Sequence, residues 1–206
     1  AIQSFLDNTF MNGQVPGFVE SYAYLFWAVG KDLNISPFHL ASRVYQEQGR
    51  EGTSPLISGT YPGYEGYYNY FNIGASGSTD KQVIESGLKY AKEATPAWDS
   101  VYNAIYYGAK VVGSNYITKG QDTLYLQKFD VDNSHHGMYW HQYMQNICAP
   151  TSEAKGIRKL YSEVGSLDNF FVFKIPVYLN MPETCAMPTE SKRVILEVVD
   201  GYSDST

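Results

Sequence analysis

A chain of 206 residues, 44% hydrophobic and 17% charged, has the apolar mass for one sizeable core and too little charge for a disordered segment. Its net charge of −6 excludes a general nucleic-acid binder, which needs a basic face, and no Lys/Arg-rich run offers an anchor on anionic lipid. No apolar run approaches the roughly 20 residues that span a bilayer, so membrane insertion is not expected.

No N-terminal signal peptide is recognisable, and the sequence reads as a mature protein or as a domain of a longer one. Two cysteines, Cys148 and Cys185, are too few for a disulfide scaffold; they either pair in an oxidising compartment or stay buried and free. Tyrosine is unusually common, 19 against 10 phenylalanines. A ring with a hydroxyl at its rim suits a half-wet surface, and sugars offer the matching apolar faces and polar edges. Ordinary half-buried packing explains most single tyrosines equally well.

In chain order, the first predicted helix covers Val19–Ala28, inside which YAYLFWAVG is too short to be more than a core helix. The next is bracketed at both ends. Ser36 serves as N-cap, Pro37 as the first helical residue and Gly49 as the left-handed stop, which predicts a helix over Pro37–Gln48. Gly49–Gly77 is glycine-rich, carries turn signals such as Pro62-Gly63, and is too long for a plain loop; a small β-hairpin lobe is predicted there. Val83, Ile84, Gly87, Leu88 and Ala91 then keep helical spacing behind the N-cap candidates Ser78, Thr79 and Asp80. Val101, Ala104, Ile105, Gly108, Ala109 and Val112 do the same, with Gly113 as the predicted stop. Gly87 and Gly108 inside helices cost about 1 kcal/mol each relative to Ala, which predicts a close helix–helix approach at both.

Asp122–Phe129 is rich in strand formers but reads equally as an irregular loop. Further helices are predicted at Tyr139–Ile147 and Thr151–Val164, and extended segments at Phe170–Leu179, demoted to an edge or arm by Pro176, and at Val194–Val199. The fold class is therefore α+β with helix dominant. His135, His136 and His141, near Asp130 and Asp132, match no zinc or calcium spacing, so no metal and no cofactor is expected. Gly74–Asp80 lacks a P-loop lysine or a dinucleotide fingerprint and reads as a loop with an N-cap.

One residue of the Pro37–Gln48 helix sits against its local electrostatics. Leu40, Val44 and Glu47 form an i, i+4, i+7 set, which puts a carboxylate at the border of the buried stripe. It also lies in the last turn, where the helix dipole disfavours a negative charge by about 0.3–1 kcal/mol. Both effects favour the protonated carboxyl, the form a general acid requires. The structural alternative is an ion pair with Arg43, four residues earlier, in the weaker of the two orientations.

The stretch YPGYEGYYNYFNIGASG (Tyr61–Gly77), with ASRVYQEQG before it and GQDTLYLQKFDV and YWHQYMQNICAP after it, resembles glycoside hydrolase family 73, endo-β-N-acetylglucosaminidases of Gram-positive autolysins. The similarity runs from about Val19 to Pro182 and includes the arm Ile175–Glu183. The resemblance implies a lysozyme-like fold with a peptidoglycan groove: one catalytic domain over 1–206, a helical core over about 19–165, a β-lobe over about 50–77 and an extended arm over about 170–206. It implies cleavage of the β-1,4 bond between GlcNAc and MurNAc, with Glu47 as general acid and Tyr143 beside the transition state. Tyr68, Asn69, Tyr70, Phe71, Asn72, Gln142 and, less directly, Tyr64, Gln121, Thr123 and Tyr125 correspond to groove positions.

A second carboxylate is needed unless the substrate's acetamido group attacks. Glu65 in the Tyr-rich lobe is the candidate, with Glu51 a weaker one. The implied partner is the peptidoglycan strand, and the implied setting is a secreted, wall-associated, multi-domain protein in which this domain is monomeric. The alternatives are a muramidase or lytic transglycosylase on the same fold, or a non-catalytic glycan-binding module.

Overall fold

The computed structural model describes residues 2–133, 137–143, 147–163, 167, 173–180 and 182–184. They contain seven α-helices: α1 (Ile2–Leu6), α2 (Tyr22–Leu33), α3 (Pro37–Gln48), α4 (Asp80–Glu93), α5 (Val101–Asn115), α6 (Leu124–Phe129) and α7 (Ala149–Glu163). All lie in one compact unit, residues 1–174. A second unit spans 175–206, and its described residues, 175–180 and 182–184, are irregular chain. No helix among the described residues is long and apolar enough to cross a membrane.

The core forms where α2 packs on α3 and α5. Ser21 caps α2 by accepting the Tyr24 N–H at 3.2 Å, and Asn34, in the left-handed conformation, ends it. Between them Tyr22, Leu25, Phe26 and Val29 are buried at helical spacing. Leu40, Ala41 and Val44 of α3 and Ala104, Ile105 and Ala109 of α5 meet them with no exposed surface. Each large aliphatic side chain buried in this way contributes about 1.5–3 kcal/mol.

The bounds predicted for α3 hold at both ends. Pro37 opens it, and Gly49, with φ of 72°, stops it where a side chain would be strained. The first predicted helix starts later than expected because Ser21 caps it, and runs on to Leu33. Thr79, of the three candidates, caps α4, accepting the Gln82 N–H at 3.3 Å.

Other expectations are corrected. Residues 50–77 form no β-hairpin. Their backbone pairs in local turns, such as Gly66 N–H to Gly59 O at 2.8 Å, and in ties to other segments, such as Asn69 N–H to Leu56 O at 2.7 Å. Positive-φ glycines recur too closely for an extended run to form. The only β pairing among the described residues is an isolated bridge between Gln14 and Ser21.

Residues 124–129 are helical, not extended, because Thr123 caps them by accepting the Leu126 N–H at 3.1 Å. Gly113 does not stop α5, which continues to Asn115, and packs instead against Ile35. The helix predicted from Tyr139 is absent over 139–143. Tyr139 has φ of 68°, and the N–H groups of Tyr139 and His141 bond to Asp130 at 2.8 and 2.7 Å. Residues 144–146, His135, His136, Val164, 170–172, Cys185 and Val194–Val199 lie outside the described residues.

The two helical glycines mark close approach, Gly87 to the short 3₁₀ helix Pro55–Ile57 and Gly108 to a loop. A Cβ on Gly87 would stand 2.8 Å from the Leu56 side chain, and one on Gly108 would stand 2.4 Å from the Phe71 ring. Gly108→Ala is thus expected to lose more by displacing Phe71 than the ~1 kcal/mol it gains in helix propensity. A net loss of about 1–2 kcal/mol, read as a lower Tm, is the expected outcome. The same substitution should lower activity, because Phe71 precedes a residue of the site below.

Candidate active site

Glu47, in the last turn of α3, is partly buried and lines a cavity of about 430 Å³ together with Arg43, Asn72, Tyr116, Tyr143 and an apolar wall that includes Val83 and Val111. Two neutral donors hold its carboxyl group. Asn72 Nδ2 donates to Glu47 Oε2 at 3.0 Å and to the Glu47 carbonyl at 3.2 Å. The Tyr143 hydroxyl donates to Oε1 at 3.4 Å.

Asn72 is aimed by the chain itself. It takes the left-handed conformation at φ 52°, which asparagine tolerates, and its Oδ1 accepts from Gln48 Nε2 at 2.7 Å. That bond fixes the amide so that Nδ2 faces Glu47. Gln48 is buried and also donates to the carbonyls of Tyr70 at 3.0 Å and Asn69 at 3.3 Å. Tyr143 is pinned by its N–H on the Gln127 carbonyl at 2.7 Å, edge-on to Tyr116 at 5.3 Å, and under the Arg43 guanidinium at 4.4 Å. Burial pushes its phenol above the ordinary value, against the pull of Arg43 and with the help of Glu47, so it remains a donor.

Arg43 does not pair with Glu47, as its spacing allowed. Its Nη1 lies 3.6 Å from Glu153 Oε2 on α7. Sequence reasoning missed both Gln48 and Glu153. Gln48 adjoins the candidate acid at the helix end, a weak signal that was present, whereas nothing local marks Glu153.

The other predicted residues divide by depth. Asn69, Tyr70 and Gln121, expected along the groove, are fully buried. The Asn69 amide bonds Ile73 O at 2.8 Å and Gly87 O at 2.9 Å. The hydroxyls of Tyr70 and Tyr22 share a 2.7 Å bond. Gln121 bonds His141 through its carbonyl and ring, at 2.8 Å each, and Leu126 O at 3.1 Å.

Phe71 reaches the cavity beside Asn72. Tyr68 is partly buried and lies over Gly59, whose missing side chain makes room for the ring. Tyr64 lies tilted against Tyr61, ring centroids 6.4 Å apart, with Lys92 above it at 5.6 Å. Thr123 and Tyr125 line a separate cleft of about 550 Å³ with Lys155 and Arg158. Gln142 is exposed.

Glu65 is exposed and does not line the Glu47 cavity. Its Oε2 accepts the Gly63 N–H at 3.0 Å, and backbone hydrogen bonds at Glu65 and Gly63 hold its carboxyl below the ordinary carboxylate range. A carboxylate that the structure does bring to the Glu47 network is Glu153, on α7, through Arg43. Among the described residues no group of three His, Cys, Asp or Glu is placed to hold a metal, and His141 stacks on Tyr116 at 4.6 Å.

His39, one turn before Arg43, adds a pH dependence. Its Nε2 is shielded from solvent without a hydrogen bond, and burial, with Arg43 second, lowers its pKa to about 4 from 6.5. Between those values the unfolded chain takes up a proton that the folded chain refuses, so stability is full above about pH 6.5 and is lost as the pH falls toward 4. The loss is at most about 3 kcal/mol. Thermal unfolding at pH 7 and pH 4.5 should therefore show a smaller Tm difference in His39→Gln than in the parent.

No family model matches the chain. The bifunctional autolysin of Staphylococcus epidermidis is 32% identical over 171 residues, which are 79% of this chain and 12% of that protein. The chain is a homologue of the bacterial autolysins. It spans only about an eighth of the length of these larger relatives. Among solved structures, a catalytic mutant of Staphylococcus aureus autolysin E in complex with the disaccharide NAG-NAM matches with a TM-score of 0.57 at 25% identity, over 80% of this chain and 68% of that one. The S. aureus glucosaminidase B structure matches with a TM-score of 0.53 at 27% identity, over 69% of this chain and 54% of that one. The autolysin homologue thus shares their fold over most of its length, in line with the resemblance read from its motifs.

Proposed function

We propose that this autolysin homologue is a peptidoglycan hydrolase of the endo-β-N-acetylglucosaminidase type, with Glu47 as the general acid. The observation that carries the reading is a partly buried carboxyl in the last turn of α3 that lines a cavity beside Tyr143, with the nearby cation turned to another carboxylate. The NAG-NAM disaccharide bound by autolysin E supplies the substrate class. Glu47 protonates the glycosidic oxygen as the GlcNAc–MurNAc bond opens, and the Tyr143 hydroxyl faces the oxocarbenium-like centre. Water then attacks with Glu65 as base, or the substrate's acetamido group attacks first. The ionised state of Glu65 suits a base, while its exposed turn favours substrate assistance.

In this reading the chain is one catalytic domain with a lysozyme-like core and a C-terminal arm, monomeric within a longer, secreted, wall-associated protein. It needs no cofactor. Digestion of purified cell walls followed by mass spectrometry of the muropeptides tests the bond cleaved. GlcNAc reducing ends are expected. MurNAc ends would make it a muramidase, anhydro products a lytic transglycosylase, and no products a binding module. Glu65→Gln should reduce turnover clearly if Glu65 activates water, and parental turnover would assign that step to the substrate.

A further inference from the structure

Arg43 has two carboxylates within reach. Glu47 is four residues further along α3, on the same face, and Glu153 is brought in by α7. Arg43 is buried, only 6% exposed, so its charge needs a partner. An Arg paired with Glu47 would hold that carboxylate ionised and deny it the proton that an acid must give up. The structure pairs it instead with Glu153, at 3.6 Å, leaving Glu47 to Asn72 and Tyr143.

We propose that Glu153 is a positioning residue of the Glu47 site: it holds Arg43 over the Tyr143 ring and away from Glu47, so that the acid has no cation paired to its carboxyl. The inference rests on the reading of Glu47 as general acid. Glu153 itself does not line the cavity, whereas Arg43, Glu47 and Tyr143 do, so it acts through Arg43 and not on the sugar. Burial holds the Glu153 carboxyl above the ordinary carboxylate range, Arg43 pulls it down, and Glu47 pushes it up, as expected of a carboxylate close to both. The other titratable groups around Arg43 are Tyr143, Tyr116 after α5, and His39 on α3. The two phenols are pushed upward by burial and His39 is held neutral above about pH 4, so none offers Arg43 a negative charge near neutral pH.

Removing Glu153 has two effects of the same sign. Arg43 turns to Glu47, and one negative charge near Glu47 disappears; both favour the ionised acid. In Glu153→Gln the alkaline limb of the pH–rate profile should move down by about one pH unit, with the larger loss of turnover on the alkaline side. A ¹³C carboxyl titration should move the Glu47 midpoint in the same direction, which a merely structural role for Glu153 would not do. Glu153→Asp, whose shorter side chain keeps the charge at a longer reach, should give a smaller shift of the same sign, and it replaces Glu153→Gln should that variant not fold. Adding Arg43→Gln to Glu153→Gln should return the Glu47 midpoint upward. An alkaline limb and a midpoint unchanged in both Glu153 variants would overturn the proposal. That outcome is separable from failure of the acid assignment itself, in which Glu47→Gln would keep its activity.

Discussion

Glu47→Gln is expected to lower release of reducing sugar from purified cell walls by about 10²–10⁴-fold while leaving Tm close to the parent value. The separation of the two effects follows from the site. A glutamine has the same shape, and its carbonyl oxygen still accepts from Asn72 or Tyr143, so packing and most of the hydrogen bonding survive. It cannot deliver a proton to a glycosidic oxygen. Residual turnover would come from the cavity's hold on the sugar and from charge stabilisation by Tyr143. Near-parental activity in this variant would remove Glu47 from the mechanism, and a large fall in Tm would make its role structural.

What could be read from sequence was whatever depends on neighbours in the chain. Pro37 and Gly49 bracket α3 because N1 and the left-handed stop are local geometric needs, and both bounds hold in three dimensions. Glu47 stood out for the same reason, since its helical phase and its place in the last turn are local facts. The segment 50–77 misled because glycine and tyrosine spacing permits a hairpin as readily as a string of turns. The deciding bonds, such as Tyr68 N–H to Trp98 O at 3.0 Å, run to distant residues. Asp122–Phe129 misled in another way: β-prone side chains were overruled by the Thr123 cap.

Depth was the hardest feature to infer. Asn69, Tyr70 and Gln121 carry polar groups that look made for a sugar, and each is engaged inside the protein. Glu153 was invisible, because only the packing of α7 brings it to Arg43.

Gln48→Leu is expected to combine a stability loss of about 2–4 kcal/mol with a fall in kcat of at least about 10-fold. The stability part comes from the carbonyls of Asn69 and Tyr70, which lose their Gln48 donor at a buried position. The catalytic part comes from Asn72, whose amide then loses the bond that fixes its orientation beside Glu47. Gln48→Glu separates donor from shape: it fills the same volume but presents acceptor oxygens to three acceptors. It should lose at least as much activity as Gln48→Leu.

If Gln48 acts through Asn72, the two positions cannot be independent. Asn72→Ala should lower kcat by a similar factor, and Gln48→Leu added to it should lower kcat little further, although Tm falls again. Multiplicative losses in the double variant would mean that Gln48 acts on kcat by a route independent of Asn72, whose amide is then aimed by its backbone. A coupled loss would identify the Gln48–Asn72 bond as the device that fixes the acid's donor.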